Sequence, residues 1–312
     1  MIASAKLKNL EARHRALRGL RDFFDERGFI EVETPTLVRS PGTELHIEAL
    51  EVVGAGERRY LHPSPEYAMK RLLAAGMTRI FQVCKAYRRG ELGHLHQPEF
   101  SMLEWYRSEA GSEAMIADTE ALVARLAELL CGEARIGGQH GPIDLSPPWP
   151  RLGVQQAFER FAGTGAADFA ALLDDEERFY RVLLEHVEPR LGVGRPTVLE
   201  RYPAQMASLA RLRSDDPSVA DRFEVYVDGI ELCNGFGELT DAAEQRRRLL
   251  AEQATRRQNG QPDYPIDERF LSALEAGMPE SGGNALGLDR LLMLLLGTRD
   301  IAEVLSFDDA AI

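Results

Sequence analysis

The sequence predicts an α+β fold, in which β-hairpins alternate with amphipathic helices. Two hairpins carry most of this prediction. In the first, apolar and polar residues alternate over residues 80–84 and, less strictly, over residues 99–106. The second joins residues 223–227 to residues 230–236 through Asp228-Gly229, a dipeptide that favours a two-residue turn.

The helical segments follow in chain order. Apolar residues recur with helical spacing over residues 5–27, and Gly28 marks the end of that helix. A second helix begins at Glu66, directly after Ser64-Pro65, and ends at Gly76, while residues 112–130 form a long amphipathic helix.

Shorter segments complete the prediction. Residues 29–32 indicate a short strand, and residues 47–53 and 58–61 pair across a glycine-containing turn. Residues 136–150 are rich in Gly and Pro and indicate a connector, and the next fifty or so residues are helical.

The C-terminal third holds two further helices. One spans residues 241–260, and its arginines, including Arg246-Arg247-Arg248 and Arg256-Arg257, are expected on a solvated charged face. The last is a strongly apolar helix, entered at Asp289-Arg290 after a glycine-rich strand or turn.

Composition limits the possible functions. The 312 residues suit one large domain or two ordinary ones, with 44% apolar and 28% charged residues. Lys and Arg number 37 against 50 Asp and Glu, so the net charge is −13. This acidic chain lacks the excess of basic residues that is typical of proteins that bind nucleic acid mainly through its phosphates.

The expected compartment is the cytoplasm, because the sequence has neither an apolar run of membrane-spanning length nor a signal peptide. Cys84, Cys131 and Cys233 are far apart and form no CxxC pair. We expect them to be buried free thiols in a reducing environment.

The loop of the first hairpin carries the polar residues of greatest chemical interest. Arg88 follows the first strand, and its guanidinium offers a fork of donors suited to a polyphosphate. The chain has neither a Walker motif nor a Rossmann GxGxxG, so nucleotide binding would need another scaffold. His94 and His96, without supporting cysteines or carboxylates, are weak evidence for zinc.

Three segments occur in a fixed order: Arg27-Gly28-Phe29 leading to Pro35, Arg88 in its hairpin, and residues 287–290 opening a helix. They resemble the three motifs of class II aminoacyl-tRNA synthetases, whose core is an antiparallel sheet flanked by helices. Within that class the chain is similar to lysyl-tRNA synthetases, through the segments 64–66, 96–100, 102–106 and 229–239. The resemblance implies one catalytic domain over residues 1–312, with a mostly helical insertion around residues 150–205.

Lysyl-tRNA synthetases carry an N-terminal OB-fold, whereas here 26 residues precede Arg27, and no OB-fold is expected. Such a core resembles the family of ligases that attach (R)-β-lysine to a lysine side chain of elongation factor P. That resemblance implies ATP and Mg²⁺ as cofactors, elongation factor P as the protein acceptor, and a homodimer formed around Pro35. It implies neither a membrane nor tRNA as a partner.

Two other functions stay open. One is a truncated lysyl-tRNA synthetase paralogue that acylates an RNA, and the other is a catalytically silent regulatory paralogue. Retention of Arg88, Glu231, Glu238 and Arg290 favours an active enzyme.

The resemblance also assigns roles to residues. Arg88 is expected at the α-phosphate and Arg290 at the γ-phosphate of ATP, as the catalytic pair; the alternative for Arg290 is an ion pair with Asp289. The expected ATP-binding residues are Arg88, Arg89, Gly90, Glu91, His96, Gln97, Phe100, Glu231, Leu232, Gly287 and Arg290. The expected metal ligands are Glu231 and Glu238, whose odd separation requires a bulge or turn, for which Gly235 and Gly237 are candidates.

The residues expected to bind the amino acid are Ser64, Pro65, Glu66, Glu104, Tyr106, Asn234, Glu238 and Ala285. Glu66 and Glu104 are the candidates for the two ammonium groups of a lysine-like substrate, and Tyr106 lies on the same strand face as Glu104. Asn234 is expected to orient the substrate carboxylate. Ala285 stands where the synthetases have a pocket-lining glycine, and we expect its methyl group to disfavour α-lysine relative to the β isomer.

The chain departs from the synthetase pattern in the hairpin loop. The synthetases have Arg-x-Glu after the first strand, whereas here Gly90 takes the third position and the carboxylate follows at Glu91. Gln97 replaces a usual Asn. Either Glu91 takes over the missing carboxylate through a shifted loop, or backbone groups hold the adenine.

Overall fold

The computed structural model describes residues 4–54 and 56–312. The strands are β1 Ile30–Glu31, β2 Leu37–Val38, β3 Leu50–Val52, β4 Arg59–Leu61, β5 Arg79–Tyr87, β6 Glu99–Ser108, β7 Arg135–Gly138, β8 Gly141–Asp144, β9 Arg151–Gly153, β10 Thr197–Glu200, β11 Arg222–Val227, β12 Ile230–Gly237 and β13 Ser281–Gly287. The helices are α1 Ser4–Asp25, α2 Glu66–Ala74, α3 Ser112–Cys131, α4 Val154–Ala162, α5 Ala166–Leu173, α6 Glu176–Val182, α7 Ala242–Gln258, α8 Glu268–Glu275 and α9 Leu288–Leu295.

An eight-stranded sheet forms the centre of the fold, in the order β1-β5-β6-β13-β12-β11-β10-β9. Its six central strands pair antiparallel, and parallel pairing is confined to the edge pairs β1–β5 and β9–β10. The predicted α+β fold, an antiparallel sheet flanked by helices, is therefore confirmed.

Side chains alternate between the two faces of this sheet. On β11, Phe223, Val225 and Val227 join a core that also contains residues of α1, α3 and α9. Tyr226 joins a second core with residues of α2, α8 and the helices α4–α6. Because α4–α6 lie between β9 and β10, the helical segment begins and ends within the main sheet.

Most of the predicted elements are confirmed. The turn at Asp228-Gly229 joins β11 to β12, and both of its residues have positive φ, 53° and 77°. The predicted pairing of residues 47–53 with residues 58–61 is confirmed as β3 against β4, and its turn includes Ala55, which lies outside the described residues.

Three predictions were wrong in part. The connector at residues 136–150 contains most of the hairpin β7–β8, because its glycines shape the turn and one strand end instead of preventing pairing. Of the arginines on α7, Arg256 is fully buried, since its guanidinium donates to three backbone carbonyls. Cys233 is buried as expected, but Cys131 is exposed at the end of α3.

Among residues 4–54 and 56–312, the structure contains no helix both long and apolar enough to cross a membrane.

Candidate active site

A pocket lies over the middle of the sheet and gathers most of the predicted site residues. Those that line it are Ser64, Glu66, Arg88, Glu91, His96, Gln97, Phe100, Glu104, Glu231, Leu232, Asn234, Ala285, Gly287 and Arg290. The predicted residues that do not line it are Pro65, Arg89, Gly90, Tyr106 and Glu238. Residues that are distant in sequence meet here because β5, β6, β13 and β12 are neighbours in the sheet.

One end of the pocket contains two arginines. Arg290 leaves the first turn of α9, and its Nη1 donates to the backbone oxygen of Glu231 at 2.9 Å and lies 3.4 Å from a Glu231 carboxylate oxygen. Arg88 enters from the end of β5, and its guanidinium carbon lies 5.1 Å from the centre of the Phe100 ring. Two arginines that face one pocket suit a ligand with several anionic oxygens.

Arg290 does not form the ion pair with Asp289 that was its alternative role. Asp289 also lines the pocket, but its carboxylate accepts from Arg13 Nη1 at 2.5 Å and from the backbone amide of Ser101 at 2.6 Å. These bonds anchor the first turn of α9 against α1 and β6. Asp289 is thus paired with Arg13, and the Arg290 guanidinium stays free to contact Glu231 and His96.

His96 lies beside Arg290, with 2.6 Å between His96 Nε2 and Arg290 Nη2. Burial and the nearby Arg290 charge lower the pKa of His96, so the imidazole is neutral and its Nε2 accepts this hydrogen bond. The ring thereby orients the guanidinium. His94, in contrast, is exposed and lies 3.3 Å from Asp300.

The structure shows how the hairpin loop accommodates the departure from the Arg-x-Glu pattern. Gly90 adopts φ +80°, a left-handed conformation that glycine takes without strain, and the loop turns there. Glu91 consequently lines the pocket, with 3.7 Å between its Oε1 and Arg88 Nη1. The shifted carboxylate thus lies where it can face a ligand of Arg88.

The opposite end of the pocket carries the carboxyl groups of Glu66 and Glu104. Glu104 is fully buried, and its two carboxylate oxygens accept from Ser64 Oγ at 2.6 Å and from Tyr106 Oη at 2.8 Å. Burial, followed by repulsion from Glu66, raises the pKa of Glu104 to about 8. Tyr106 is therefore on the face predicted for it, but it supports Glu104 from behind and does not line the pocket.

The floor between the two ends is a row of cross-strand neighbours. Ala285 of β13 lies opposite Glu104 of β6 and opposite Asn234 of β12. Residues paired in this way point to the same face, about 5 Å apart. The Ala285 methyl group and the Glu104 side chain are therefore neighbours on the pocket face of the sheet. Asn234 Oδ1 is buried and has no hydrogen-bond partner among the described residues.

The family model described as "tRNA synthetases class II (D, K and N)" matches residues 2–310. The chain belongs to the class II tRNA synthetase family. It is 40% identical over 313 residues to an elongation factor P–(R)-β-lysine ligase of Salmonella gallinarum, covering 97% of this chain and 96% of that protein. Proteins of the same name from Histophilus somni and Klebsiella pneumoniae are each 41% identical, and each alignment covers 96% of the relative and 98% or 97% of this chain.

The sequence reasoning missed Lys70, which contacts two of the predicted site residues. This lysine of α2 is fully buried, and its Nζ lies 2.5 Å from Glu238 Oε2 and also contacts Glu66. Burial lowers its pKa, but Glu238 and Glu66 more than offset this, so the pKa lies above its usual value. The i,i+4 spacing from Glu66 was a usable signal, since it places the two side chains on one helix face.

Glu44 was also missed. It lines the pocket from the loop before β3, and burial, followed by repulsion from Glu66 and Glu252, raises its pKa to about 7. Nothing in its local sequence distinguishes it from an ordinary loop carboxylate.

The two glutamates predicted as metal ligands of this synthetase fold have different partners. A bulge does lie between them, but at Leu232, since Val225 pairs with Cys233 while Tyr226 pairs with Glu231. The prediction that Gly235 or Gly237 forms the bulge was wrong. Both glycines pair regularly, and a Cβ at Gly235 would lie 2.5 Å from the Phe223 ring.

The partners of Glu231 and Glu238 show which of the two carboxylates could bind a magnesium ion. Within the described ranges, no group of three His, Cys, Asp or Glu is arranged to hold a metal. Mg²⁺ is usually held by one or two carboxylates together with substrate phosphates. Glu231 fits such a site, because its carboxylate lines the arginine end of the pocket. Glu238 does not fit it in this structure, because Lys70 already occupies its carboxylate.

Proposed function

We propose that this protein is an ATP-dependent, AMP-forming ligase. It activates (R)-β-lysine as the adenylate and transfers the β-lysyl group to a lysine ε-amino group of elongation factor P. The names of relatives at about 40% identity support this proposal, since the alignments cover nearly the whole of each chain. The observation that carries it is a pocket with two arginines at one end and two glutamates at the other.

In the first step, a carboxylate oxygen of the amino acid attacks the α-phosphorus of ATP. The bond from that phosphorus to the bridging oxygen breaks, and pyrophosphate leaves. Arg88 and Arg290 stabilise the charge on the phosphoryl oxygens, and a covalent enzyme nucleophile is not required. Mg²⁺, held by Glu231 and phosphate oxygens, would neutralise further phosphate charge.

The glutamate end selects the amino acid. A lysine-like substrate carries two ammonium groups, and each requires an anionic partner once it leaves water. Glu66 and Glu104 line the pocket and are the proposed partners. A neutral side chain would leave a buried carboxylate unpaired, which discriminates strongly against such substrates.

In the second step, the deprotonated ε-amino group of the acceptor lysine attacks the acyl carbonyl carbon. The carbon–oxygen bond to AMP breaks, AMP leaves with the electron pair, and the new amide nitrogen loses a proton. We further propose a cytoplasmic homodimer, with contacts around Pro35, in which the 312 residues act as one catalytic domain without tRNA.

The test is ATP–pyrophosphate exchange with (R)-β-lysine, with α-lysine and without an amino acid, followed by the intact mass of added elongation factor P. We expect exchange that favours β-lysine and a gain of one lysyl mass. Arg290→Gln should slow exchange by roughly 100-fold or more, whereas Arg299→Gln, at an exposed position, should not.

Other outcomes point elsewhere. Exchange with α-lysine and no mass gain would favour an acylated RNA. No exchange with either isomer would favour the silent paralogue.

A further inference from the structure

Three buried glutamates and one buried lysine lie together at the substrate end of the pocket. Glu66, Glu104 and Glu238 are 9%, 0% and 1% exposed, and Lys70 is fully buried among them. Lys70 contacts Glu66 and Glu238, while Glu104 is held by the hydroxyl groups of Ser64 and Tyr106. In the substrate complex, with all four groups ionised, three negative charges meet one positive charge, which leaves a deficit of two positive charges for the ligand to supply.

A buried charge without a counter-ion is costly, so this deficit selects for a ligand that brings two positive charges. The diamino acid of the proposed function has two ammonium groups, and this inference rests on that proposal. We propose that Lys70 is a specificity-determining positioning residue. Its ammonium group compensates one of the three carboxylates and holds Glu66 toward the pocket, so that the site matches a substrate with two ammonium groups.

The placement of Lys70 supports an indirect role. Glu66 lines the pocket, whereas Lys70 lies one helical turn further along α2, outside the pocket lining. Lys70 therefore acts on the substrate through Glu66. Without the ammonium group, Glu66 and Glu238 would face each other as uncompensated buried anions. Their repulsion would turn Glu66 away from the substrate.

The experiment compares two variants by ATP–pyrophosphate exchange. Lys70→Met keeps a long unbranched side chain but removes the charge. We expect it to raise the KM for (R)-β-lysine by about tenfold or more, with the KM for ATP changed less than about twofold. In Lys70→Met/Glu238→Gln, removal of one carboxylate restores the deficit of two, and most of the lost affinity should return.

A substrate analogue with a single ammonium group separates charge matching from a structural role. Lys70→Met should reduce the preference for β-lysine over this analogue, and a general loss of stability would leave that ratio unchanged. Lys85→Met is the matched control, because Lys85 is half exposed and pairs with Glu99 at 3.2 Å outside the pocket. It should leave both KM values unchanged.

Several results would overturn the proposal. They are an unchanged KM for β-lysine in folded Lys70→Met, a double variant no better than the single one, or failure of both variants to fold. If the wild-type enzyme activates α-lysine instead, the same comparison is made with that diamino acid. If the wild-type enzyme activates neither isomer, calorimetry measures the binding of both isomers to the wild-type protein and to Lys70→Met. A loss of binding in Lys70→Met would then support the role of Lys70 even though the proposed ligase activity had failed.

Discussion

At the scale of single residues, Glu104 links the chemistry of the pocket to pH. Its pKa of about 8 means that the carboxyl group holds a proton at neutral pH in the ligand-free protein. The ionised form is the one that pairs with a substrate ammonium. In the unfolded chain the group ionises near 4.5, so its burial costs stability increasingly as the pH rises from about 4.5 to about 8.

We therefore expect the KM for the diamino acid to fall as the pH rises from about 6.5 to about 8, by up to roughly tenfold per pH unit. Exchange kinetics over this range measure the effect. Glu104→Gln is the control, since it should weaken binding and abolish this part of the pH dependence. A KM that stays flat in the wild-type enzyme would contradict the role given to Glu104.

Ala285 tests selectivity at the same scale. Its methyl group lies beside Glu104 because the two residues pair across β13 and β6. Ala285→Gly removes that methyl group, and we expect the preference for β-lysine over α-lysine to fall by roughly tenfold, in line with about 1–3 kcal/mol per methyl group. Exchange measured with both isomers tests this, and an unchanged preference would remove Ala285 from the specificity determinants.

At the scale of secondary-structure elements, α7 holds one wall of the pocket through Arg256. The Arg256 guanidinium donates to the backbone oxygens of Glu44, Ile47 and Pro262 at 2.7–3.2 Å and lies 4.4 Å from the centre of the Tyr264 ring. Glu44 and Ile47 line the pocket. One helix therefore fixes the position of a loop that faces the ligand.

Arg256→Met should lower the free energy of unfolding by about 3 kcal/mol, because it leaves buried carbonyl groups without donors. It should also raise the KM for ATP or the amino acid, since the pocket wall loosens. Denaturant unfolding and exchange kinetics measure the two effects. Arg257→Met is the neighbouring control, because Arg257 is exposed and pairs only with Asp263 among the described residues. Equal effects from both variants would contradict the anchoring role.

At the scale of the whole molecule, two exposed apolar side chains near Pro35 in sequence support the proposed homodimer. Ile30 and Leu37, on β1 and β2, are 57% and 45% exposed. A cavity of about 450 Å³ has Pro35, Leu37 and Val38 among its lining residues. Exposed apolar side chains beside a cavity are typical of an interaction surface.

We expect a mass of about twice 34.8 kDa by sedimentation at micromolar concentration. Leu37→Asp should shift the protein toward monomer, whereas Leu250→Asp, at an exposed position of α7, should not. A wild-type protein that sediments as a monomer would contradict the dimer.

The sequence by itself determined the fold class, the family and most of the pocket. The fold class follows from local patterns, which a sequence shows directly: alternation in the hairpins, periodicity in the helices and the turn at Asp228-Gly229. Arg88, Glu104 and Arg290 stand in motifs whose order along the chain is itself informative.

Only the tertiary structure decided which charges meet. Lys70 has the local sequence of a surface helix residue, yet packing buries it against Glu238, 168 positions away in the chain. Arg256 is likewise buried by a distant loop. The bulge falls at Leu232, while Gly235 and Gly237 stand where a Cβ would meet Phe223 and Asp221. The reason is physical: burial, and charge pairing between distant segments, depend on contacts between elements, which local patterns do not record.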